Sequence, residues 1–232
     1  MPQKRAIEQG KPAFLFDLDG TLVDSVYQHV LAWGEALHEL GIELSTWRIH
    51  RRVGMSGGLL LNALQRETGR KLSDKEAERL KKLHSEGFKK RIGAIRPLPG
   101  AKELLAMLTR HRVPWAIATT GEAKDARVLV DLLEAGDKVQ LVTRSDVAHG
   151  KPFPDLFLVA AERLQADIND CIVVGDSVWD LLASRRAHAI GVGLLSGGYG
   201  QDELEQAGAY RVYADPAELA LHIDELGVEA EI

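Results

Sequence analysis

Short apolar segments alternate with helix-like segments through the second part of this chain, from residue 97 onward. We predict strands at 113–118, 139–143, 171–174, 189–192 and 210–213, and helices at 101–110, 123–134, 155–165, 178–187, 201–206 and 216–223. Strands joined by helices of this length run parallel, because each crossover returns the chain to the same end of the sheet. The pattern therefore predicts an α/β fold with a doubly wound parallel sheet, which is a Rossmann-like core.

One further strand is predicted earlier, at Ala13–Phe16, and it ends in two acidic residues, Asp17 and Asp19. Side chains two positions apart in an extended chain point to the same side, so both carboxylates converge just beyond the strand. Close carboxylates repel each other unless a cation lies between them, and Mg²⁺ prefers oxygen ligands of this kind. The segment therefore predicts a magnesium site, and a polar turn around Gly20 that contains acids by chance is the alternative.

Between the first and second strands, three segments carry apolar residues at helical spacing: 26–40, 56–68 and 73–91. Pro97 then marks the return to alternating strands and helices. We therefore predict a catalytic core formed by residues 1–23 and 97–232, with a helical cap domain of residues 24–96 inserted into it.

The overall composition is that of a globular protein, with 45% hydrophobic and 27% charged residues and no apolar run as long as a membrane span. The net charge of −5 argues against nucleic acid as a partner. The N-terminal segment has no secretory signal, and Cys171 is the single cysteine, which together predict a cytoplasmic protein. Composition does not distinguish a monomer from a homodimer.

Charge is unevenly distributed along the chain. Residues 24–96 contain 14 Lys and Arg against 9 Asp and Glu, whereas the remainder contains 15 against 25. A basic insert facing an acidic sheet edge would favour the approach of an anionic small molecule. The alternative, which holds for most of these residues, is that they cover solvent-exposed faces of amphipathic helices.

Polar residues follow four of the predicted strands, at the edge where doubly wound sheets bind their ligands. In chain order these candidates are Asp17 and Asp19, Thr119 and Thr120, Lys151, and Asp176 with Asp180. Carboxylates, a hydroxyl and an ammonium are the groups needed to hold a phosphoryl group and a magnesium ion. Taken singly, Thr119 and Thr120 could cap the next helix, and Asp180 stands three residues after Ser177, which is capping-box spacing.

The order and spacing of these residues resemble the motifs of the haloacid dehalogenase superfamily of phosphotransferases, over nearly the whole chain. The four motifs match Asp17-Leu18-Asp19-Gly20-Thr21, then Thr119, then Lys151, and finally Gly175-Asp176 with Asp180. The position of the insert is similar to the subfamily with a helical cap, which includes phosphoglycolate phosphatases and β-phosphoglucomutases.

This resemblance implies a role for each motif residue. Asp17 would attack phosphorus and become an aspartyl-phosphate, and Asp19 would protonate the leaving alcohol and then activate the hydrolytic water. Thr119 and Lys151 would hold the transferring oxygens. The implied cofactor is Mg²⁺, and its implied ligands are Asp17, the backbone carbonyl of Asp19, and Asp176, with Asp180 supporting them from outside the coordination sphere.

Within the family, Asp19 argues against dehalogenation, because a halide leaving group needs no proton. We predict a phosphomonoesterase that acts on a small phosphorylated metabolite, of the phosphoglycolate or sugar phosphate class. The alternatives are a sugar phosphate mutase similar to β-phosphoglucomutase and a phosphate-binding regulatory protein without turnover. No membrane or nucleic-acid partner is expected.

Candidate substrate-binding residues are His29, Arg52, Gly54 and Thr120. His29, ten residues after Asp19, is similar in position to a histidine that gates the general acid in the mutase branch, and a histidine packed in a helix is the alternative. The glycine-rich segment 52–58 is predicted to be a substrate-specificity loop, and an ordinary turn between helices is the alternative.

Overall fold

A computed structural model describes residues 12–136 and 139–229. The N-terminal segment, for which the sequence predicts no secretory signal, lies outside these residues. The sheet contains six parallel strands in the order β3-β2-β1-β4-β5-β6. These are β1 (Ala13–Phe16), β2 (Trp115–Ala118), β3 (Leu141–Val142), β4 (Cys171–Gly175), β5 (Ile190–Leu194) and β6 (Ala209–Tyr213). The strand order reverses between β1 and β4, and open α/β sheets bind ligands at such a switch point. The predicted doubly wound parallel fold is confirmed.

Four helices lie in the insert of residues 24–96: α1 (Val26–Glu39), α2 (Thr46–His50), α3 (Gly57–Thr68) and α4 (Asp74–Lys89). They share a hydrophobic cluster of their own, in which residues of α1 such as Val30 and Leu37 pack with Leu60 of α3 and Leu80 of α4. The predicted helical cap is therefore present. Helix α2 was not predicted, because five residues are too few to display a helical period.

Six more helices connect or follow the strands of the core. They are α5 (Ala101–Arg110), α6 (Ala123–Asp131), α7 (Asp155–Leu164), α8 (Val178–Ala187), α9 (Gln201–Ala207) and α10 (Pro216–Leu221). Within the described ranges, no helix combines the length and apolar character that crossing a membrane requires.

Strand β1 lies at the centre of the sheet and is buried along its whole length. Phe14 and Phe16 pack on one face, in a cluster that includes residues of α5 and α6, whereas Leu15 packs on the other face with residues of α7. Helices on both faces explain why this strand is apolar at every position rather than at alternate ones.

Two predicted strands are shorter than their apolar segments. The strand predicted at 113–118 begins two residues later, at Trp115, because Pro114 has no N–H to donate to a neighbouring strand. The strand predicted at 139–143 is reduced to the two residues Leu141–Val142, which pair only with β2 at the edge of the sheet.

The two connections between the cap and the core run side by side. The backbone N–H of Asp24 donates to the carbonyl of Arg96 at 2.9 Å, and the N–H of Leu98 donates to the carbonyl of Leu22 at 2.9 Å. Val23 and Pro97 form an antiparallel bridge between these bonds. This pairing supports the division at residues 23/24 and 96/97, which stays a prediction.

Candidate active site

Four ionisable residues meet at the carboxyl edge of the two central strands. Asp17 directly follows β1 and Asp176 directly follows β4, Lys151 lies in the loop before α7, and Asp180 lies in the first turn of α8. The exposed fraction is 4% for Asp17 and Asp176, 1% for Asp180 and 0% for Lys151. Groups of this kind are buried in proteins only when they are paired or bind an ion.

Lys151 lies between two of the carboxylates. Its Nζ donates a short hydrogen bond to Oδ1 of Asp17 and lies 2.7 Å from Oδ1 of Asp180. Burial by itself would lower the pKa of Lys151, but the charges of Asp17 and Asp180 outweigh burial and raise it. The lysine is therefore a permanent ammonium within this cluster.

Oxygen atoms of Asp17, Asp176 and Asp180 lie within 4.8 Å of one another, so three carboxylates face a single ammonium. Burial raises the pKa of Asp17 to about 7, although Lys151 acts in the opposite direction. Burial and the charge of Asp180 raise the pKa of Asp176. An excess of buried carboxylate oxygens is a donor set that fits a divalent metal ion. Of the predicted metal ligands, Asp17 and Asp176 lie in this cluster, together with the predicted supporting residue Asp180.

Two glycines allow the chain to approach Asp176 closely. A Cβ atom on Gly197, in the loop after β5, would lie 1.7 Å from Oδ2 of Asp176. A Cβ atom on Gly20 would lie 2.6 Å from the same oxygen, and Gly20 has a φ of +85°, which other residues adopt only with strain. Oδ1 of Asp176 accepts a hydrogen bond from Oγ1 of Thr21 at 3.2 Å. The carboxylate is thus held on three sides, which fixes its position next to Asp17.

Asp180 has a structural role in addition to its place in the cluster. The backbone N–H of Ser177 and its Oγ both donate to Oδ2 of Asp180, at 3.2 Å and 2.5 Å. This arrangement confirms the capping-box interpretation of the spacing. It also orients Oδ1 of Asp180 toward Lys151. The same side chain therefore caps the N-terminus of α8 and binds the ammonium of Lys151.

We expect Mg²⁺ to stabilise the wild-type protein and Asp176→Asn to remove that effect. Binding to the folded state alone should raise Tm by about 5–10 °C at about 100 times the Kd. Without metal, the variant should be at least as stable as the wild type, because Asn removes a buried carboxylate whose ionisation is disfavoured. Calorimetry with and without Mg²⁺ measures both effects, and an equal Mg²⁺-induced shift in the two proteins would contradict the site.

The carboxylate of Asp19 is bound outside this cluster, by residues of the cap and of the β2 end. Oδ1 accepts a hydrogen bond from Oγ of Ser25 at 2.6 Å and lies 3.2 Å from Nε2 of His29. Oδ2 accepts from Oγ1 of Thr119 at 3.3 Å. Burial opposes ionisation of Asp19, but the charge and hydrogen bond of His29 outweigh it and hold its pKa below the usual range. Both side-chain oxygens of Asp19 are therefore engaged outside the acidic cluster, and its backbone carbonyl stays the predicted metal ligand.

His84 of α4 contacts His29 and so extends the set of contacts that begins at Asp19. The sequence did not indicate this residue. Its Nε2 lies 3.1 Å from Nδ1 of His29. The ring stacks on Trp33 with centroids 3.9 Å apart, while His29 stacks on Phe88 at 3.8 Å. Burial, and then the charge of His29, lowers the pKa of His84 well below its usual range, so the ring is neutral near pH 7. The sequence contained one signal that could have pointed to His84: a histidine four residues before Phe88, on the apolar face of a helix.

Replacing His84 by Phe is expected to lower kcat about fivefold to tenfold with little change in KM. Phe keeps the ring stacking but removes the hydrogen bond that fixes the His29 ring, which is worth about 1 kcal/mol. Steady-state kinetics separate the two parameters, and His84→Gln, which restores a polar group, should recover part of kcat. A rise in KM at constant kcat would contradict this positioning role.

A cavity of about 410 Å³ opens between cap and core, and Asp17 and Asp19 are in its wall. All four candidate substrate-binding residues line it: His29, Arg52, Gly54 and Thr120. The capping alternative for Thr120 is wrong, because α6 begins only at Ala123 and Glu122 occupies the N-cap position. Thr119 is also not at that position; its Oγ1 accepts from the N–H of Gly121 at 3.0 Å.

The predicted specificity loop is attached to the core. The N–H of Ser56 donates to the carbonyl of Lys151 at 3.0 Å, and a Cβ atom on Gly54 would lie 3.2 Å from Oγ of Ser177. Nearby, Nε2 of His50 lies 2.7 Å from the carbonyl of Gly197. The segment therefore joins the cavity wall to the loops that carry the buried lysine and Asp176.

The family model for haloacid dehalogenase-like hydrolases matches residues 11–188. The chain belongs to this family. The predicted family is confirmed, and its fold and buried acidic cluster are those expected of a haloacid dehalogenase-like hydrolase. A divalent metal ion is the general cofactor of the phosphatases in this family.

Relatives of this haloacid dehalogenase-like hydrolase include phosphatases and a mutase. Hexitol phosphatase A of Escherichia coli (strain K12) is 34% identical over 183 residues, 77% of this chain and 82% of that protein. Beta-phosphoglucomutase of Bacillus subtilis (strain 168) is 28% identical over 216 residues, 91% and 92% of the two chains. A crystal structure of a hydrolase from Pseudomonas syringae superposes with a TM-score of 0.91 at 52% identity, covering 93% of this chain and 99% of that one. The chain is thus an enzyme of the phosphatase type.

Proposed function

We propose that this haloacid dehalogenase-like hydrolase is a Mg²⁺-dependent phosphomonoesterase that cleaves a small phosphorylated metabolite through an aspartyl-phosphate on Asp17. One observation carries the proposal: a buried ammonium, Lys151, binds Asp17 beside Asp176 and Asp180, and Asp17 also faces the cavity. The sugar phosphate or phosphoglycolate class is the proposed substrate class. A cytoplasmic location is consistent with the buried, unpaired thiol of Cys171.

In the first step, an oxygen of Asp17 forms a bond to phosphorus while the bond from phosphorus to the substrate oxygen breaks. Lys151 neutralises charge on the transferring oxygens, since its ammonium already lies against Asp17. When bound by Asp17, Asp176 and the backbone carbonyl of Asp19, Mg²⁺ would supply further positive charge for the phosphoryl group. Thr119 is proposed to hold a phosphoryl oxygen.

The leaving alkoxide needs a proton, and Asp19 is the proposed donor. Burial opposes ionisation of Asp19, but the contact with His29 holds the pKa of Asp19 below its usual range. Nε2 of His29 lies 3.2 Å from Oδ1 of Asp19 and orients the carboxyl group that is proposed to donate the proton. In the second step Asp19 takes a proton from water, the water oxygen bonds to phosphorus, and Asp17 is released as a free carboxylate.

The functions for which relatives are named support the sugar phosphate class. Besides hexitol phosphatase A, fructose-1-phosphate phosphatase of Escherichia coli (strain K12) matches 78% of this chain at 28% identity. A family hydrolase from Deinococcus radiodurans, 28% identical with a TM-score of 0.70, was solved with bound phosphate and sodium. These are properties of the relatives, and they favour a phosphate ester of a small alcohol as the substrate here.

The proposal is tested by phosphate release from p-nitrophenyl phosphate with Mg²⁺ and with a chelator in its place. We expect turnover with Mg²⁺ and its loss on chelation, and we expect added Mg²⁺ to restore it. Turnover that survives complete removal of the metal would contradict the proposed role of Asp17, Asp176 and the Asp19 carbonyl.

A mutase that moves phosphate within a sugar is the second candidate, favoured by the match to beta-phosphoglucomutase over 91% of the chain and by the contact of His29 with Asp19. Phosphorus NMR on β-glucose 1-phosphate distinguishes the two. A phosphatase yields free phosphate, whereas a mutase yields the 6-phosphate faster than free phosphate.

A further inference from the structure

The cavity beside Asp17 is the space in which the alcohol part of a phosphate ester has to lie. Its volume of about 410 Å³ falls within the range of small-ligand pockets. One side is formed by rings of the cap, with Trp33 and His84 stacked on each other and Phe88 next to them. Aliphatic side chains, among them Leu60 of α3 and Leu129 of α6, also face it. This wall is uncharged.

Apart from His29, whose ring contacts Asp19, the cations that line the cavity in the described part of the chain are Arg52, Lys81 and Arg144. Nη2 of Arg52 is in a short contact with Oε1 of Glu67, at the C-terminal end of α3. Nζ of Lys81 lies 2.7 Å from Oε1 of Glu78. Each of these two cations therefore already has a carboxylate partner.

Among the described residues Arg144 has no carboxylate partner, but two of its N–H groups donate to carbonyls of its own loop. Nη1 donates to the carbonyl of Val147 at 2.6 Å and Nη2 to the carbonyl of Ala148 at 3.1 Å. The same cavity is lined by two acids, Glu122 and Asp125, of which Asp125 lies 3.9 Å from Nζ of Lys89. Each of these three cations thus already contacts a protein acceptor, although Glu67 is shared with Arg48, whose Nη1 lies 3.9 Å from Oε2 of Glu67.

We propose that the cavity selects phosphate esters of uncharged polyhydroxy alcohols and rejects esters that carry a second anionic group. This inference rests on the phosphomonoesterase function proposed above and names its substrate class. A carboxylate or second phosphate entering the cavity would lose its water without gaining a free cation, and would meet Glu122 and Asp125. Hydroxyl groups need no such partner, and the C–H faces of a polyol can pack against Trp33, His84 and Phe88.

The proposal separates the substrate classes that the family allows. Phosphoglycolate carries a carboxylate, and it is therefore expected to be a poor substrate. A sugar bisphosphate, which a mutase has to hold while phosphate moves between two positions, is expected to bind poorly for the same reason. Selection here comes from the absence of a free partner for the unwanted charge, rather than from added contacts to the preferred ligand.

The test uses two phosphate esters that differ at one carbon. Sorbitol 6-phosphate ends in a CH₂OH group where 6-phosphogluconate ends in a carboxylate, and the rest of the two chains has the same length and polarity. Both esters are measured with the Mg²⁺-loaded enzyme, first as substrates and then as competitive inhibitors of p-nitrophenyl phosphate hydrolysis. The inhibition constants give a preference between the two esters even when turnover is slow. We expect the polyol ester to be preferred at least about tenfold in kcat/KM or in Ki.

A smaller preference, or a preference for the acid, overturns the inference and leaves the phosphatase intact, because p-nitrophenyl phosphate is still hydrolysed. Failure to hydrolyse p-nitrophenyl phosphate would instead overturn the phosphatase function on which the inference rests. The two failures are therefore distinguishable in one set of measurements.

A substitution that removes the charge of Glu67, the partner of Arg52, should shift the substrate preference toward 6-phosphogluconate. Glu67→Gln keeps the shape of the side chain but removes the charge that neutralises Arg52. We expect the preference for sorbitol 6-phosphate over 6-phosphogluconate, measured in kcat/KM or in Ki, to fall about fivefold or more in this variant. The control is Glu86→Gln, which removes an exposed acid of the same helical cap, 3.9 Å from Lys82, and should leave the ratio unchanged. An unchanged ratio in Glu67→Gln would show that the pairing of Arg52 does not determine selection.

Discussion

Replacing Asp17 by Asn is expected to lower kcat at least about 10³-fold, because an amide cannot form the phosphoryl-enzyme bond that the carboxylate forms. The side chain keeps its size, and its place after β1 is fixed by the bond from its own N–H to the carbonyl of Val174 at 2.9 Å. Initial rates of phosphate release from p-nitrophenyl phosphate with saturating Mg²⁺ measure the effect. Activity above a tenth of the wild-type value would exclude Asp17 as the nucleophile.

The loss should not come from unfolding. Burial raises the pKa of Asp17 to about 7, so near and above that pH the folded protein holds a carboxylate whose ionisation is disfavoured. Asn removes this cost, and we expect Tm without metal to be unchanged or higher. Asp131→Asn, at an exposed position at the end of α6, is the matched control and should keep full activity.

Replacing Lys151 by Met is expected to lower both stability and activity. Met fills a similar volume but leaves Asp17, Asp176 and Asp180 buried without their ammonium, and removing one partner of a buried ion pair costs about 3–5 kcal/mol of unfolding free energy. Turnover should also fall at least about 10²-fold, because the transferring oxygens lose a positive partner. Urea unfolding without metal and steady-state kinetics with Mg²⁺ measure the two losses.

The stability loss in Lys151→Met should depend on pH in a definite direction. An acid whose pKa is higher in the folded state than in the unfolded state destabilises the fold as pH rises from about 4 through the folded pKa, which is about 7 for Asp17. Without the ammonium this effect grows, so the difference in free energy of unfolding between Lys151→Met and the wild type should be larger at pH 8 than at pH 5. Lys82→Met, at a surface pair with Glu86, should change little at either pH. A difference that is equal at both pH values would argue that lost packing, not charge, is responsible.

The sequence predicted the fold and the position of the acidic cluster because both follow from local pattern. Apolar segments of strand length alternate with helical periods, and residues at the ends of parallel strands meet at one edge whatever the loops between them do. Asp17 and Asp176 lie close together in the structure for this reason. The Asp180 spacing to Ser177 was likewise a local signal, and the capping bond it predicted is present.

What the sequence could not predict depends on contacts between distant segments. His84 lies 55 positions from His29, and nothing in the helical pattern of α4 shows that the two rings meet. The excess of positive charge in residues 24–96 suggested attraction of an anion, but that pattern did not show that Glu67 would neutralise Arg52 in the cavity wall. The packing of α4 against α1 decided the first contact, and the position of the loop between α2 and α3 relative to the end of α3 decided the second.

The paired connections at Asp24 and Leu98 have a consequence for how enzymes of this type diversify. Because the chain leaves the core and returns to it at neighbouring backbone positions, another helical unit with closely spaced ends could be spliced in there without disturbing the strand order. The buried acids and Lys151, which are proposed to perform the chemistry, belong to the predicted core, while Arg52, Glu67 and the rings of Trp33, His84 and Phe88 belong to the predicted cap. Exchange of the unit at this joint would therefore alter which ester is accepted and keep Asp17, Lys151 and Asp176 in place, while it would also replace Ser25 and His29, which hold the side chain of Asp19.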